Sequence, residues 1–297
     1  MHLKFNRRVL LLSLGALILS GCQIGRKTPP APQPTAKPKA IIGLALGGGA
    51  AKGFAHIGVI KVLKQQNIPV NVVTGTSAGA IVGSLYASGM SPDRLELEAE
   101  ILSQADLVDL TLSTRGIIKG EKLQNYINRK VGNRPLQNLP VKFAAIATDF
   151  NSGKSVAFNT GNTGQAVRAS ASIPNIFLPA EIGKRQYVDG GLSAPVPVTA
   201  AREQGANFVI AVDISAKPAK LENGSGFFDY LDQSLNIMSA PALEYQLRQA
   251  NVVIKPQVQK LGSVGGFDQK AQAIKLGEQA ALAALPEIKK KLAAYRY

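Results

Sequence analysis

The chain has 297 residues, 45% of them apolar, enough for one large hydrophobic core or two modest ones, and its low aromatic content and lack of Trp favour mixed helix and sheet over an aromatic-rich all-β protein. A formal net charge of +15 suggests a nucleic-acid binder, but no zinc-ligand set, basic helix or aromatic platform accompanies it. Seven of the positives (Lys4, Arg7, Arg8, Arg26, Lys27, Lys37 and Lys39) precede the first predicted strand, and the remaining basic surface suits a phosphate-rich membrane face or is simply solvated.

Residues 1–21 run as a basic start, an almost wholly apolar stretch from Val9 to Leu19, then small residues, which is the order of a secretory signal. The apolar stretch is too short for a comfortable membrane span. Cys22 is the only cysteine, so an internal disulfide or cysteine-based metal cluster is excluded. Leu19-Ser20-Gly21-Cys22 resembles the lipobox of bacterial lipoproteins, which implies cleavage before Cys22, its acylation and a membrane-anchored product in the cell envelope. Gln23 after the cysteine implies the outer membrane, facing the periplasm, if the host has two membranes. Residues 22–40, with Pro29, Pro30, Pro32, Pro34 and Pro38 and no apolar cluster, read as a semi-extended tether.

The folded domain is expected over 41–297. Ile41 to Leu46 reads as a strand buried on both faces, stopped by Gly47-Gly48-Gly49. The pattern then predicts a helix over Phe54 to Gln66, a strand over Val70 to Thr74 ending at Gly75, a helix over Ser77 to Ala87 and another from Ser91-Pro92 to about Leu102. Strands are predicted over Lys142 to Thr148, Lys154 to Phe158, Gln186 to Val188 and Asn207 to Asp213, and a helix over Thr163 to Ser170. A last helix, roughly Gln269 to Tyr295, should be interrupted at Pro286. This alternation predicts a three-layer α/β/α domain with a mainly parallel central sheet. The pattern assigns no role to Leu221 to Gly265.

Gly75-Thr76-Ser77-Ala78-Gly79 fits G-x-S-x-G between a predicted strand and helix, where a serine sits on a tight turn with the helix start facing developing oxyanion charge. Ser77 is the candidate nucleophile. The upstream loop, Gly47 to Gly53, can direct successive amides at an anion, either phosphate or the oxyanion of a tetrahedral intermediate. A phosphate-binding nucleotide loop needs Gly-Lys followed by Ser or Thr, but Lys52-Gly53-Phe54 follows here. No histidine lies C-terminal to Ser77; His2 belongs to the leader and His56 precedes the serine as a packed or capping residue. A carboxylate base is then the main option, and Asp189-Gly190-Gly191, ending a short strand, offers one. Asp149 and Asp213 read as turn or capping residues.

A glycine loop ending in Lys-Gly (Gly48 to Gly53), then G-x-S-x-G (Gly75 to Gly79), then D-G-G (Asp189 to Gly191), in that order, resembles the patatin-like phospholipases. The likeness runs from about Ile41 through Asp213 and includes Ala166 to Pro174. It implies the patatin-like fold and a Ser77–Asp189 dyad. It also implies oxyanion donors at Gly49 and Ala50 with Gly48 nearby, and no metal or cofactor. The implied partners are a phospholipid or other acyl ester and the membrane, not nucleic acid. The sequence departs from the family where Ala50 replaces a third loop glycine and Lys52 stands where many members have Arg. The competing expectation is a non-catalytic envelope lipoprotein that binds lipid or a partner with the same fold.

Overall fold

In a computed structural model, residues 37–216, 226–259, 261 and 266–296 are described. The signal-like segment, Cys22 and most of the Pro-rich stretch lie outside them.

Five strands run parallel: β1 (Ile42–Leu46), β2 (Val72–Thr76), β3 (Lys142–Asp149), β7 (Phe208–Val212) and β8 (Val252–Ile254). β4 (Ser155–Phe158), β5 (Ala180–Ile182) and β6 (Arg185–Asp189) join antiparallel. The order is β5-β6-β3-β2-β1-β7-β8, with β4 paired separately to β3. β1, β2 and β7 are buried at every residue, which explains their apolar runs without alternation.

Helices cover both faces: α1 (Ala55–Gln65), α2 (Ala78–Ala87), α3 (Pro92–Ile101), α4 (Glu121–Lys130), α5 (Thr163–Ser170), α6 (Val198–Glu203), α7 (Phe227–Arg248) and α8 (Lys270–Leu292). Because side chains alternate along a strand, Ile42, Leu44 and Leu46 of β1 join the large core with α1, α2 and α8, while Ala45 joins a second core with α6 and α7. This is a three-layer α/β/α arrangement. α1 and α8 approach backbone to backbone, since a Cβ on Gly58 would lie 2.0 Å from the Ile274 carbonyl and one on Gly277 2.0 Å from that of Ala55.

Three boundaries differ from the sequence expectation. β2 continues through Gly75 to Thr76, because its pairing with β3 extends to Thr76 opposite Ile146. The second half of the expected glycine loop is a 3-10 turn, Ala50–Phe54, and the expected helix follows it as α1 from Ala55. α8 runs through Pro286 without a break; the carbonyl of Leu282 that loses its amide partner is on an exposed residue, where water can serve it.

Candidate active site

β1 and β2 end side by side, with Leu46 opposite Gly75, so the glycine loop and Ser77 emerge at the same edge of the sheet, beyond its carboxyl ends. Ser77 has φ 53° and ψ −120°, a strained combination for a residue with a side chain. The turn is held that tightly because the chain is compressed on both sides: a Cβ on Gly75 would lie 2.3 Å from the Gly79 carbonyl oxygen, and one on Gly79 2.1 Å from that of Leu46. The Ser77 amide donates to Ser170 Oγ at 2.9 Å, and Ser170 Oγ donates to the Ile146 carbonyl at 2.5 Å. Ser170 is fully buried at the end of α5, and sequence reasoning gave it no role.

β3 brings Asp189 to the serine. Thr76, the residue before Ser77, pairs with Ile146, and Asp189 pairs with Ala147, so adjacent positions of one strand set both groups at one level. The Asp189 amide donates to the Ser172 carbonyl at 2.8 Å, and its own carbonyl accepts Thr148 Oγ1 at 2.9 Å. Gly190 allows this approach, because a Cβ there would lie 2.1 Å from the Ile146 carbonyl oxygen. Oδ1 accepts the Gly191 amide at 2.7 Å, whereas Oδ2 is buried with no hydrogen-bond partner. Burial pushes the Asp189 carboxyl up to about 6, partly offset by the Ser77 hydroxyl and the Gly191 amide.

The glycine loop divides its amides. Gly47 donates to Val212 at 3.0 Å and Gly48 to Pro195 at 3.0 Å. Gly48 therefore has no amide left for an oxyanion, and the expectation that it assists is corrected; a Cβ there would make only ordinary contact with Ser77 Cβ, at 3.4 Å. The amides of Gly49 and Ala50 donate to no group among the described residues. Ala50 adopts φ 48°, the positive value that the replacement of a loop glycine put in question. Gly53 is required where it stands, as a Cβ would lie 2.5 Å from that of Ala78.

Lys52 is engaged by α7. Its side chain is 2% exposed, and Nζ meets Asp232 Oδ2 of α7 at 3.0 Å. His56 is fully buried on α1 with Nε2 2.8 Å from the Gly47 carbonyl, which assigns the Nε2–H tautomer. Burial holds its pKa down at about 4, so the ring is neutral and props the loop. Asp149 accepts the Ser152 amide and pairs with Arg185, and Asp213 accepts the Ser215 amide and pairs with Lys255, both as turn residues.

Ser77 opens onto a cavity of about 350 Å³. Its walls come from the loop (Ala50, Phe54), α2 (Ile81, Val82), the segment after α3 (Leu107, Leu110) and Ile176, and α7 closes one side with Leu231 and Leu235. Apart from Ser77, the polar lining residues are Gln104 and Asp232. A hydroxyl beside a buried carboxylate, two free amides and an apolar trough suit nucleophilic attack on the carbonyl of an acyl ester.

The strained turn at Ser77 and the β3 register that brings Asp189 to the same level are set in a three-layer α/β fold. Residues 44–202 match the profile of the patatin-like phospholipase family, and the chain belongs to that family. An uncharacterised NTE-family protein of Mycobacterium bovis is 36% identical over 181 residues, covering 60% of this chain and 50% of the relative. The mouse patatin-like phospholipase domain-containing protein 6 is 30% identical over 184 residues, 59% of this chain and 14% of that protein. The chain thus spans about half the length, or less, of these curated relatives. VipD from Legionella pneumophila superimposes with a TM-score of 0.59 at 14% identity, covering 84% of this chain and 67% of that one, which shows the patatin fold.

Proposed function

We propose that the protein is a serine acyl ester hydrolase of phospholipase or lysophospholipase type, over residues 41–297, that works with Ser77 and Asp189 as a dyad. The observation that carries this is the pairing of Thr76, just before Ser77, and of Asp189 with adjacent β3 residues, together with the unengaged amides of Gly49 and Ala50 on the neighbouring loop. Ser77 Oγ attacks the ester carbonyl carbon as its proton passes to Asp189 Oδ2. The carbonyl oxygen gains the negative charge and is met by the Gly49 and Ala50 amides. Collapse expels the alkoxide, which takes the proton from Asp189, leaving an acyl-serine. Water then attacks this ester while Asp189 accepts its proton, and the second collapse returns a proton to Ser77 Oγ with release of the fatty acid. The reading includes a leader over 1–21 and a lipidated Cys22 on a tether over 22–40, which place the enzyme on a bacterial envelope membrane.

Labelling with a fluorophosphonate probe tests the chemistry: the wild type reacts and hydrolyses a soluble short-chain nitrophenyl ester, and Ser77→Ala does neither. An unreactive wild type sinks the hydrolase reading in favour of lipid or partner binding. For the anchor, Cys22→Ala is expected to move the protein out of the membrane fraction; unchanged partition contradicts it.

A further inference from the structure

α7 is apolar on two sides. Inward it places Leu231 and Leu235 on the cavity and Leu243 and Leu247 against the core shared with α6. Outward it carries Phe227, Tyr230, Ile237, Met238 and Tyr245, all exposed and all within one arc of about 100° at helical spacing. Between Tyr230 and Leu243 its one charged residue is Asp232, and that is held by Lys52. A surface helix ordinarily turns charge to water on this side.

A second apolar segment borders the same cavity. Residues 109–119 fold back on themselves through the Leu110–Ile118 bridge, with Thr111 donating to Ile117 and Lys119 to Asp109. The fold-back exposes Leu110, Leu112 and Ile117, and Leu110 and Ile117 also line the cavity. Arg115 and Lys119 are exposed on the fold-back, while the Asp109 carboxylate is taken up by the amides of Gly120, Glu121 and Lys122; at the start of α4 the exposed Glu121 is followed by Lys122, whose Nζ donates to the Ala105 carbonyl.

We infer that these two segments form a rim that docks on the surface of a lipid bilayer, with α7 lying in the interface and the cavity opening toward the acyl chains. Three observations select this occupant. The apolar rim is continuous with the apolar trough that ends at Ser77, so a chain leaving the bilayer reaches the serine without crossing water. The cations on the fold-back complement lipid phosphates. The apolar residues of α7 lie on two sides, so its inner side can stay packed on the core while the outer arc meets acyl chains. The role of the rim in feeding substrate rests on the hydrolase reading; docking itself does not.

The chain has no Trp, so a single introduced one reports its own surroundings. Leu112→Trp and Met238→Trp, each in the full-length Ser77→Ala protein, are mixed with phosphatidylcholine vesicles containing a minor fraction of phosphatidylglycerol; Leu282→Trp on exposed α8 is the control. The acyl anchor holds all three at the vesicle, so only insertion separates them. Blue-shifted emission and quenching by chain-brominated lipid at 112 and 238, absent at 282, are expected. Equal behaviour at all three positions overturns the inference, as does unquenched emission at 112 and 238 with concentration-dependent pairing, which assigns the face to a second copy. In the active enzyme, Leu112→Asp with Met238→Asp should lower turnover of vesicle phospholipid about tenfold while hydrolysis of the soluble ester stays within about twofold. Equal loss on both substrates also overturns it. An inactive wild type with position-dependent quenching would remove the hydrolase reading and leave the docking face standing.

Discussion

In the proposed dyad, Asp189 would serve chemistry at the expense of the fold. Its carboxyl is raised from 3.8 in a solvated chain to about 6 by burial, so above that value the folded protein carries an ion it has little means to solvate. A raised folded pKa favours folding fully below pH 3.8, and the advantage is lost as the pH rises through about 6. At neutral pH the ionised group then costs on the order of 3 kcal/mol relative to a neutral one. Asp189→Asn should therefore lower kcat by about 10² to 10⁴, because the amide cannot accept the serine proton, while raising the denaturation midpoint at pH 7 to 8. The stability gain should vanish in acid. A variant that is both inactive and less stable at neutral pH would contradict this account. The same titration predicts that kcat/KM of the wild type climbs about tenfold per unit of pH up to about 6 and then levels. His56 cannot supply that inflection, since its pKa lies at about 4.

Among the elements, α5 holds the turn at Ser77, the proposed nucleophile, through Ser170. Ser170, at its last turn, accepts the Ser77 amide and donates to Ile146, so Ser170→Ala leaves two buried backbone groups unpaired beside a strained residue. A loss of about 2 kcal/mol in denaturant unfolding and a kcat decrease of about tenfold or more, with KM little changed, are expected. A KM effect without a kcat effect would place Ser170 in binding instead. How much of this could be read in advance follows from how local each signal is. β1 and the glycine loop were legible because a strand buried on both faces leaves a continuous apolar run and a turn with no room for side chains leaves glycines. α5 falls on its expected bounds, Thr163 to Ser170, and in the structure the Asn162 side chain caps it by accepting the Gln165 amide. The hydrogen bond from Ser170 to Ser77, by contrast, joins positions far apart in sequence, and the loss of Gly48 as a donor depends on where Pro195 falls; neither leaves a local pattern. α7 was unreadable for a different reason. Apolar residues on its inner and outer sides together erase the helical period that would have announced it.

At the scale of the molecule, the family match ends at residue 202, yet the cavity is completed by α7, beyond it. The ion pair of Lys52 with Asp232 fastens this added helix to the loop that offers the Gly49 and Ala50 amides. An ammonium buried to 2% exposure is costly to leave alone, so α7 cannot lift freely without disturbing the 3-10 turn that holds Lys52. Coupling of this sort is reciprocal: whatever steadies the loop must also steady the helix. Phosphonylation of Ser77, which places a tetrahedral oxygen against those two amides, should slow hydrogen exchange in α7 around Asp232. In Asp232→Asn the loop should still be protected and α7 should not. Unchanged exchange in α7 of the modified wild type would show the two to be independent. With the coupling present, whatever occupies the two amides would be felt on the outer side of α7, so the state of the loop would be legible at the surface of the molecule.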